Sequence, residues 1–239
     1  MINEPINYVT FNNHALTDFG VYVSGKGTYG APERDCEEIE VPGRNGSVYL
    51  DNKRFKNLDI TYSAFIVDDE FSQKIDGLRA FLCYSSDYHK LEDTYHQSEY
   101  RMAIYKGPFD PDVHDSLLGA SFDLTFTCKP QRFLKVGDTP HLLMAGESLY
   151  NPTLYTSKPI IRVVGTGELE INGVTLQVTK NSDYTDLDCE LEDAYHVTEN
   201  RNANVITPSI DYPSLSPGNN TINYSGFSSV QITPRWWTI

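Results

Sequence analysis

Cys128-Lys129-Pro130-Gln131-Arg132-Phe133 is the stretch at which the pattern of this chain changes. Upstream of it, apolar and polar residues alternate, which is the period of a strand with one buried face. Pro130 has no backbone N–H, so we expect it to end the ladder of that strand. The residues expected to face the core are Ala120, Phe122, Leu124, Phe126 and Cys128.

The same stretch predicts a division of the chain into two domains. We place the junction at Cys128, Pro130, Arg132 and Phe133, between a first domain at residues 1–135 and a second at residues 136–239. A chain of 239 residues, 39% of them hydrophobic and 12% aromatic, is long and apolar enough to build a core in each part.

The charge balance limits the class of partner. The formal net charge is -14, with 5 basic and 12 acidic residues after position 135. Stable wrapping of nucleic acid and docking on an anionic membrane both need basic patches that displace counterions, so the composition argues against both. We expect no membrane insertion.

The N-terminus and the cysteines indicate a cytoplasmic origin. Met1 to Pro5 lack the basic start and apolar run of a secretion signal, so we expect the chain to be made in a cytoplasm. The cysteines are far apart and form no Cys-x-x-Cys pair, which favours buried reduced thiols over disulfides or a thiolate metal site. They are Cys36, Cys83, Cys128 and Cys189.

The first domain is predicted to combine strands, one helix and a hairpin arm. A strand is expected from Ile6 to Phe11 and another from Leu58 to Ile66. Asp68 and Asp69 are positioned to cap a helix whose apolar residues recur at three- and four-residue steps. This order suits an α+β unit or a helix on a β-sandwich. The apolar stripe comprises Phe71, Ile75, Leu78, Phe81 and Leu82.

The arm is predicted from a turn-rich centre between two extended runs. Ile39 and Val41 precede the centre, and Val48 to Leu50 follow it. We expect this arm to lie at a subunit interface, although a plain surface turn fits the pattern equally well. The residues of its centre are Pro42, Gly43, Arg44, Asn45 and Gly46.

The second domain is predicted to be an all-β sandwich without a helix. Its clearest local signal is Asn172-Gly173 between two apolar runs, because Asn-Gly tolerates the positive φ angles of a two-residue hairpin turn. The fold class is therefore mainly β, with a β-sandwich-like first domain bearing one helix and a β-sandwich second domain.

The joint order of the motifs resembles that of the distal tail proteins of long-tailed bacteriophages, especially phages of Gram-positive bacteria. The likeness spans essentially the full length. In the first part it rests on Val41 to Gly46, Tyr88 to Leu91, Tyr100 to Ala103 and Phe126 to Phe133. In the second part it rests on Asn151 to Thr153, Ser157 to Val163, Gly165, Gly167, Asp188 to Glu190, and Ile232 to Ile239.

That resemblance implies a structural hub at the virion tail tip, assembled in the host bacterial cytoplasm. Its first domains would form a six-membered ring, a homo-hexamer, and its second domains would be galectin-like sandwiches that project outward. The implied partners are the tail-tube protein, the tail-associated baseplate protein and receptor-binding proteins. DNA would pass through the ring without specific binding, and no catalysis and no cofactor are implied.

Several residue patterns leave other functions open. Adjacent Trp236 and Trp237 point to opposite sides of a strand, so one is free to contact a partner or a sugar, which would suit a carbohydrate-binding adhesion module. Arg44 and Arg132 are candidates for ion pairs across subunits. A carboxylate pair of a glycosidase is a remoter alternative, because no nucleophile or metal motif accompanies it.

Two further patterns raise metal binding. An acidic run offers oxygen ligands for calcium, and in a strand Asp188, Glu190 and Glu192 would share one face, but a solvated face is the simpler interpretation. His89 and His96 lack a third ligand nearby, so we expect two exposed loop histidines and no metal. The acidic run comprises Asp183, Asp186, Asp188, Glu190, Glu192 and Asp193.

Overall fold

The computed structural model describes residues 7–25, 27–114, 118–209 and 211–239. The chain divides into two compact units. The first unit comprises Met1–Arg132 with Ile239, and the second comprises Phe133–Thr238. The strand predicted from Ile6 starts outside the described residues, and its described part, Val9–Phe11, is a strand.

The first unit is built from antiparallel strands and one α-helix. Its described elements are β1 Val9–Phe11, β2 His14–Ala15, a 3-10 turn at Leu16–Phe19, β3 Val21–Ser24, β4 Arg34–Glu40, β5 Ser47–Phe55, β6 Leu58–Val67, α1 Phe71–Cys83, β7 His89–Asp93, β8 Glu99–Tyr105, β9 Asp112–Val113 and β10 Gly119–Leu134. The main sheet has the order β2-β1-β7-β8-β10-β6-β3, β9 pairs with β10, and β4 pairs only with β5.

The pair formed by β6 and β10 confirms the predicted alternation. Its antiparallel register runs without a break from Gly119 opposite Val67 to Cys128 opposite Leu58. Every second residue is buried, and these residues join the core of the first unit. The buried set of the two strands is Ile60, Tyr62, Ala64, Ile66, Ala120, Phe122, Leu124, Phe126 and Cys128.

The expectation that Pro130 ends its strand is wrong. β10 continues through Pro130 to Leu134. The ladder to β6 ends earlier, at Cys128, so the missing N–H of Pro130 removes no bond from that ladder. The proline carbonyl still accepts a hydrogen bond from Arg101 Nη1 at 3.3 Å.

Helix α1 forms where the apolar stripe predicts it, but its first turn differs from the prediction. Glu70 occupies the N-cap position and makes no side-chain capping bond. The Asp68 carboxylate instead accepts the Glu70 N–H at 2.9 Å, which forms a turn just before the helix. Phe71, Leu78 and Leu82 are the buried positions of the helix, so the predicted face does pack into the core.

The second unit consists of strands and short 3-10 turns. Its described elements are 3-10 turns at Lys135–Asp138 and Asn202–Asn204 and the strands β11 His141–Leu142, β12 Ser148–Asn151, β13 Ile160–Val164, β14 Gly167–Ile171, β15 Val174–Val178, β16 Tyr184–Asp188, β17 Asp193–His196, β18 Glu199–Asn200, β19 Val205–Ile206, β20 Gly218–Ser225, β21 Ser229–Thr233 and β22 Trp237–Thr238. One sheet has the order β11-β21-β13-β16-β17-β18 and the other β12-β20-β14-β15-β19.

The two sheets share one core, which confirms a β-sandwich. Ile161 and Val163 from one sheet pack with Leu169 and Ile171 from the other. The predicted hairpin turn is present: Asn172 and Gly173 have φ angles of 53° and 84° between β14 and β15. These positive angles explain the Asn-Gly sequence. The galectin-like variant of the sandwich remains a prediction.

Within the described residues, no helix has the length and apolar character required to cross a membrane.

Phe126 should carry a large share of the stability of the first unit. Its side chain is fully buried, and its ring centroid lies 5.0 Å from that of Phe11 and 5.5 Å from that of Tyr105. Phe126→Ala should lower the free energy of unfolding by about 3 to 5 kcal/mol, the usual cost of deleting a buried aromatic ring. Urea titration followed by tyrosine and tryptophan fluorescence measures this loss.

Phe65→Ala is the matched control, because Phe65 lies on the exposed face of β6 with 38% of its surface accessible. Equal losses for the two variants would contradict the assignment of the buried face.

Candidate functional site

The arm, formed by β4, β5 and the turn between them, is exposed along most of its length. Ile39 lies opposite Val48, and Glu40 lies opposite Ser47. Most of its side chains are exposed on both faces. A two-stranded ribbon gains little stability by itself in water, so such an arm is expected to have a partner surface.

One face of the arm carries three aliphatic side chains beside Glu37, which lies opposite Leu50. Ile39, Val48 and Leu50 share this face, because opposite residues and every second residue along a strand point the same way. Their exposures are 48%, 42% and 52%. Three neighbouring aliphatic side chains are therefore left in water on this face.

The centre of the arm is a tight turn in which every predicted residue is exposed. The Arg44 N–H donates to the Val41 carbonyl at 3.1 Å. Gly43 and Gly46 have φ angles of 79° and 81°, a region that glycine adopts without strain. Pro42 and Asn45 complete the turn, and all five side chains or Cα groups face solvent. Their place at a subunit interface remains a prediction.

The base of the arm is held by ion pairs between its two strands and the residues beside them. Arg34 pairs with Asp51 at 3.1 Å, and Arg54 pairs with Asp35 at 2.6 Å. The hydrogen bond to Arg54 holds the pKa of Asp35 below its usual value. These pairs are solvent-exposed and add little stability each, but they fix how the two strands meet at the base.

The residues predicted at the domain junction lie at the end of β10. Cys128 is buried in the first core, and the division between the two units falls between Arg132 and Phe133. Arg132 donates from Nε to Glu99 at 2.7 Å, with its Nη2 on the same carboxylate oxygen. Glu99 belongs to the same chain, and an ion pair of Arg132 across subunits remains a prediction.

The two tryptophans have different environments. Trp236 is buried in the second core with 4% exposure. Trp237 stacks on Tyr155 with ring centroids 4.4 Å apart and donates from its indole nitrogen to the Thr156 carbonyl at 2.9 Å. The face of Trp237 that stacks on Tyr155 is therefore unavailable to a sugar.

Three acids of the acidic run, Asp183, Asp186 and Asp188, pair with arginines, and the run is not arranged on one strand face. β16 ends at Asp188, and Glu192 has a φ angle of 56°, so the predicted shared face of Asp188, Glu190 and Glu192 is wrong. Arg235 holds Asp188 with contacts of 2.8 and 3.0 Å. Arg201 holds Asp183 at 2.8 Å. The described residues contain no cluster of ligands suited to a metal ion.

The histidines predicted to be exposed are largely covered. His89 Nε2 lies 2.7 Å from Ser85 Oγ, and the ring packs edge-on against Phe11. His96 pairs with Asp93 at 3.1 Å, and only 15% of its side chain is exposed. Both rings serve the packing of the first unit.

The expectation that the cysteines are all buried is wrong. Cys128 and Cys189 are buried, Cys83 is exposed and Cys36 is half-buried. Burial raises the pKa of Cys128 to about 12 and raises that of Cys189 as well. A thiol reacts as its thiolate, so two causes keep Cys128 and Cys189 unreactive: their thiols stay protonated, and reagents cannot reach them.

The outer face of the β6–β10 pair carries hydroxyls and carboxylates. Cross-strand hydrogen bonds join Thr61 to Thr125 at 2.8 Å and Ser63 to Asp123 at 2.9 Å. Thr127 donates to Asp59 at 2.6 Å. No Lys or Arg occurs in residues 58–67 or 119–128. We call this surface, made by these six residues, the polar face.

Comparison with solved structures identifies the fold. The whole Dit (gp 19.1) protein of phage SPP1 superimposes on 98% of this chain with a TM-score of 0.75 and 16% sequence identity. That protein is described as a paradigm of the hub adsorption apparatus in phages that infect Gram-positive bacteria. The chain therefore has the fold of a phage distal tail hub protein.

A second likeness is to the baseplate of phage P2 in its activated conformation. The match to the form with Ca covers 95% of this chain and 98% of that chain, with a TM-score of 0.59 and 8% identity. The form with Sr gives the same coverage, a TM-score of 0.57 and 9% identity. No protein-family model and no curated protein sequence matches the chain.

Arg235→Ala should destabilise the second unit strongly. The side chain of Asp188 is only 4% exposed, so removing Arg235 leaves a buried carboxylate without its cation. The expected loss is about 3 kcal/mol by urea titration. Arg79→Ala is the control, because Arg79 and Asp76 form a pair that is 61% and 63% exposed, and a loss there of about 0.5 kcal/mol or less is expected.

Thiol titration tests the assigned burial of the cysteines. In the native protein at mildly alkaline pH, Cys83 should react with Ellman's reagent first, and Cys128 and Cys189 should react only after unfolding. Rapid modification of all four thiols in the native state would contradict the two cores described above.

Proposed function

We propose that this protein is the structural hub of a long-tailed phage tail tip. In this role its first units close into a ring of about six copies that connects the tail tube to the baseplate. The observation that carries the proposal is the exposed arm on a chain whose fold matches a hub protein over its full length.

The arm supports ring closure for a geometric reason. A closed ring of identical subunits needs a heterologous interface, in which one patch of each subunit meets a different patch of the next. An arm that projects from its own sheet and bears Ile39, Val48 and Leu50 in water supplies one such patch. The neighbouring subunit would supply the apolar surface that covers it.

The polar face supports a role around passing DNA. Thr61, Thr125 and Asp123 belong to a surface of hydroxyls and carboxylates without a basic residue on either strand. Such a surface forms no ion pairs with phosphates, so a polyanion moves past it without being held. We assign the polar face to the wall of the channel.

The hub has no catalytic role in this proposal. Asp183 and Asp188 of the acidic run are held by arginines, and the comparisons are with hub and baseplate proteins. The second units would project outward and hold receptor-binding proteins, while the two ends of the ring would meet the tail-tube protein and the tail-associated baseplate protein.

The role of the arm is tested by Ile39→Ser combined with Leu50→Ser. Because both residues are exposed in the single chain, their loss should leave the melting temperature of the monomer unchanged while reducing the oligomer fraction at least tenfold. Sedimentation velocity over a concentration series measures that fraction. The double variant Arg44→Ala with Asn45→Ala should also reduce the oligomer fraction.

The control combines Leu154→Ser with Leu191→Ser, which removes two leucines of the second unit that are 88% and 70% exposed. This variant should assemble like the original chain. An arm variant that also assembles normally would exclude the arm from the subunit interface.

A further inference from the structure

The sequence Asn-Gly occurs twice in the chain, each time in a hairpin turn. Asn45-Gly46 lies in the turn of the arm, and Asn172-Gly173 joins β14 to β15. All four residues are exposed. Gly46 and Gly173 have nearly equal φ angles of 81° and 84°. The two sites therefore share their sequence, their access to water and the conformation of their glycine.

An Asn-Gly pair can react with itself. The glycine nitrogen attacks the side-chain carbonyl carbon of the asparagine, a C–N bond forms, and the bond from that carbon to Nδ2 breaks. Ammonia leaves, taking up the proton lost by the glycine nitrogen, and a five-membered succinimide remains. Water then opens the ring at either carbonyl to give aspartate or isoaspartate. Glycine favours the attack because it has no Cβ to shield its nitrogen or restrict its backbone.

At Asn172 the fold holds the side-chain amide away from this reaction. Its Nδ2 donates to Asn220 Oδ1 at 2.7 Å and to the Ser214 carbonyl at 3.3 Å. Its Oδ1 accepts the Thr221 N–H at 3.1 Å. Asn220 is fully buried, so its oxygen is a fixed acceptor. Turning the amide carbon of Asn172 toward the Gly173 nitrogen would break these bonds.

At Asn45 nothing comparable holds the amide. Among the described residues, neither the Asn45 side chain nor the Gly46 N–H has a hydrogen-bond partner. The turn is closed by the bond from the Arg44 N–H to the Val41 carbonyl, which leaves the Asn45 amide free to rotate. A Cβ placed on Gly46 would meet no heavy atom within 4 Å, so a succinimide ring has space to form.

We propose that Asn45 is a site of spontaneous deamidation and that the fold protects Asn172 from the same reaction. The reaction needs only water, and it exchanges a neutral amide for a carboxylate beside Arg44 in the centre of the arm. Isoaspartate also adds one CH₂ to the backbone of the turn. The proposal concerns the single chain and does not depend on ring formation.

The test incubates the native full chain at mildly alkaline pH, which favours loss of the amide proton of glycine. Peptide mass spectrometry then measures, residue by residue, the replacement of NH₂ by OH. Asn45 should react about ten to a hundred times faster than Asn172, because Asn172 must first break its hydrogen bonds. In Asn45→Gln the fast product should disappear, because the longer side chain cannot form the five-membered ring.

The unfolded chain is the matched control, because Asn172 loses its hydrogen bonds there while both sequences stay the same. In guanidinium chloride the two asparagines should react at similar rates. A difference as large as in the native chain would overturn the proposal, since the sequence around each pair, and not the fold, would then set the rates.

The variant Ile39→Ser with Leu50→Ser separates this proposal from the role of the arm in assembly. A ring that covers the arm would slow the reaction of Asn45 in the original chain, whereas the variant leaves the turn in water. Fast reaction in the variant therefore supports the proposal, whether or not the original chain assembles. If Asn45 reacts no faster than Asn172 in both chains, the proposal is overturned.

Discussion

The long antiparallel pair of β6 and β10 is the constraint on which the first unit depends. Because side chains alternate along both strands, its continuous register from Leu58 to Val67 creates two unlike surfaces at once. One surface is the core around Phe126, on which α1 packs. The other is the polar face, which is free of basic residues. A shift of one residue would exchange the two surfaces and remove both the core and the polar face.

Features set by local chemistry could be predicted from the sequence, and features set by long-range register could not. The alternation before Cys128, the stripe of α1 and the Asn172-Gly173 turn depend on near neighbours, and each appears as expected. Arg235 and Asp188 are 47 positions apart, so their pairing could not be predicted from the sequence. The acidic run was therefore left open as a calcium site. The strand β10 continues past Pro130, and the missing N–H removes no bond to β6 because the ladder between the two strands ends at Cys128.

The arm and the two cores suit the proposed role as an assembly hub. Each unit has its own buried core, so each can remain folded while its surfaces serve different partners. The arm leaves aliphatic side chains in water, a cost that a neighbouring subunit would offset. The SPP1 protein has the same fold at 16% sequence identity.

The central claim is that the chain closes into a ring through its first unit. Negative-stain imaging of the purified full-length chain, on the largest species separated by size exclusion with light scattering, tests it most directly. The account predicts closed rings of about six copies around an open centre. A strict monomer at every concentration, or oligomers without a central opening, would contradict it.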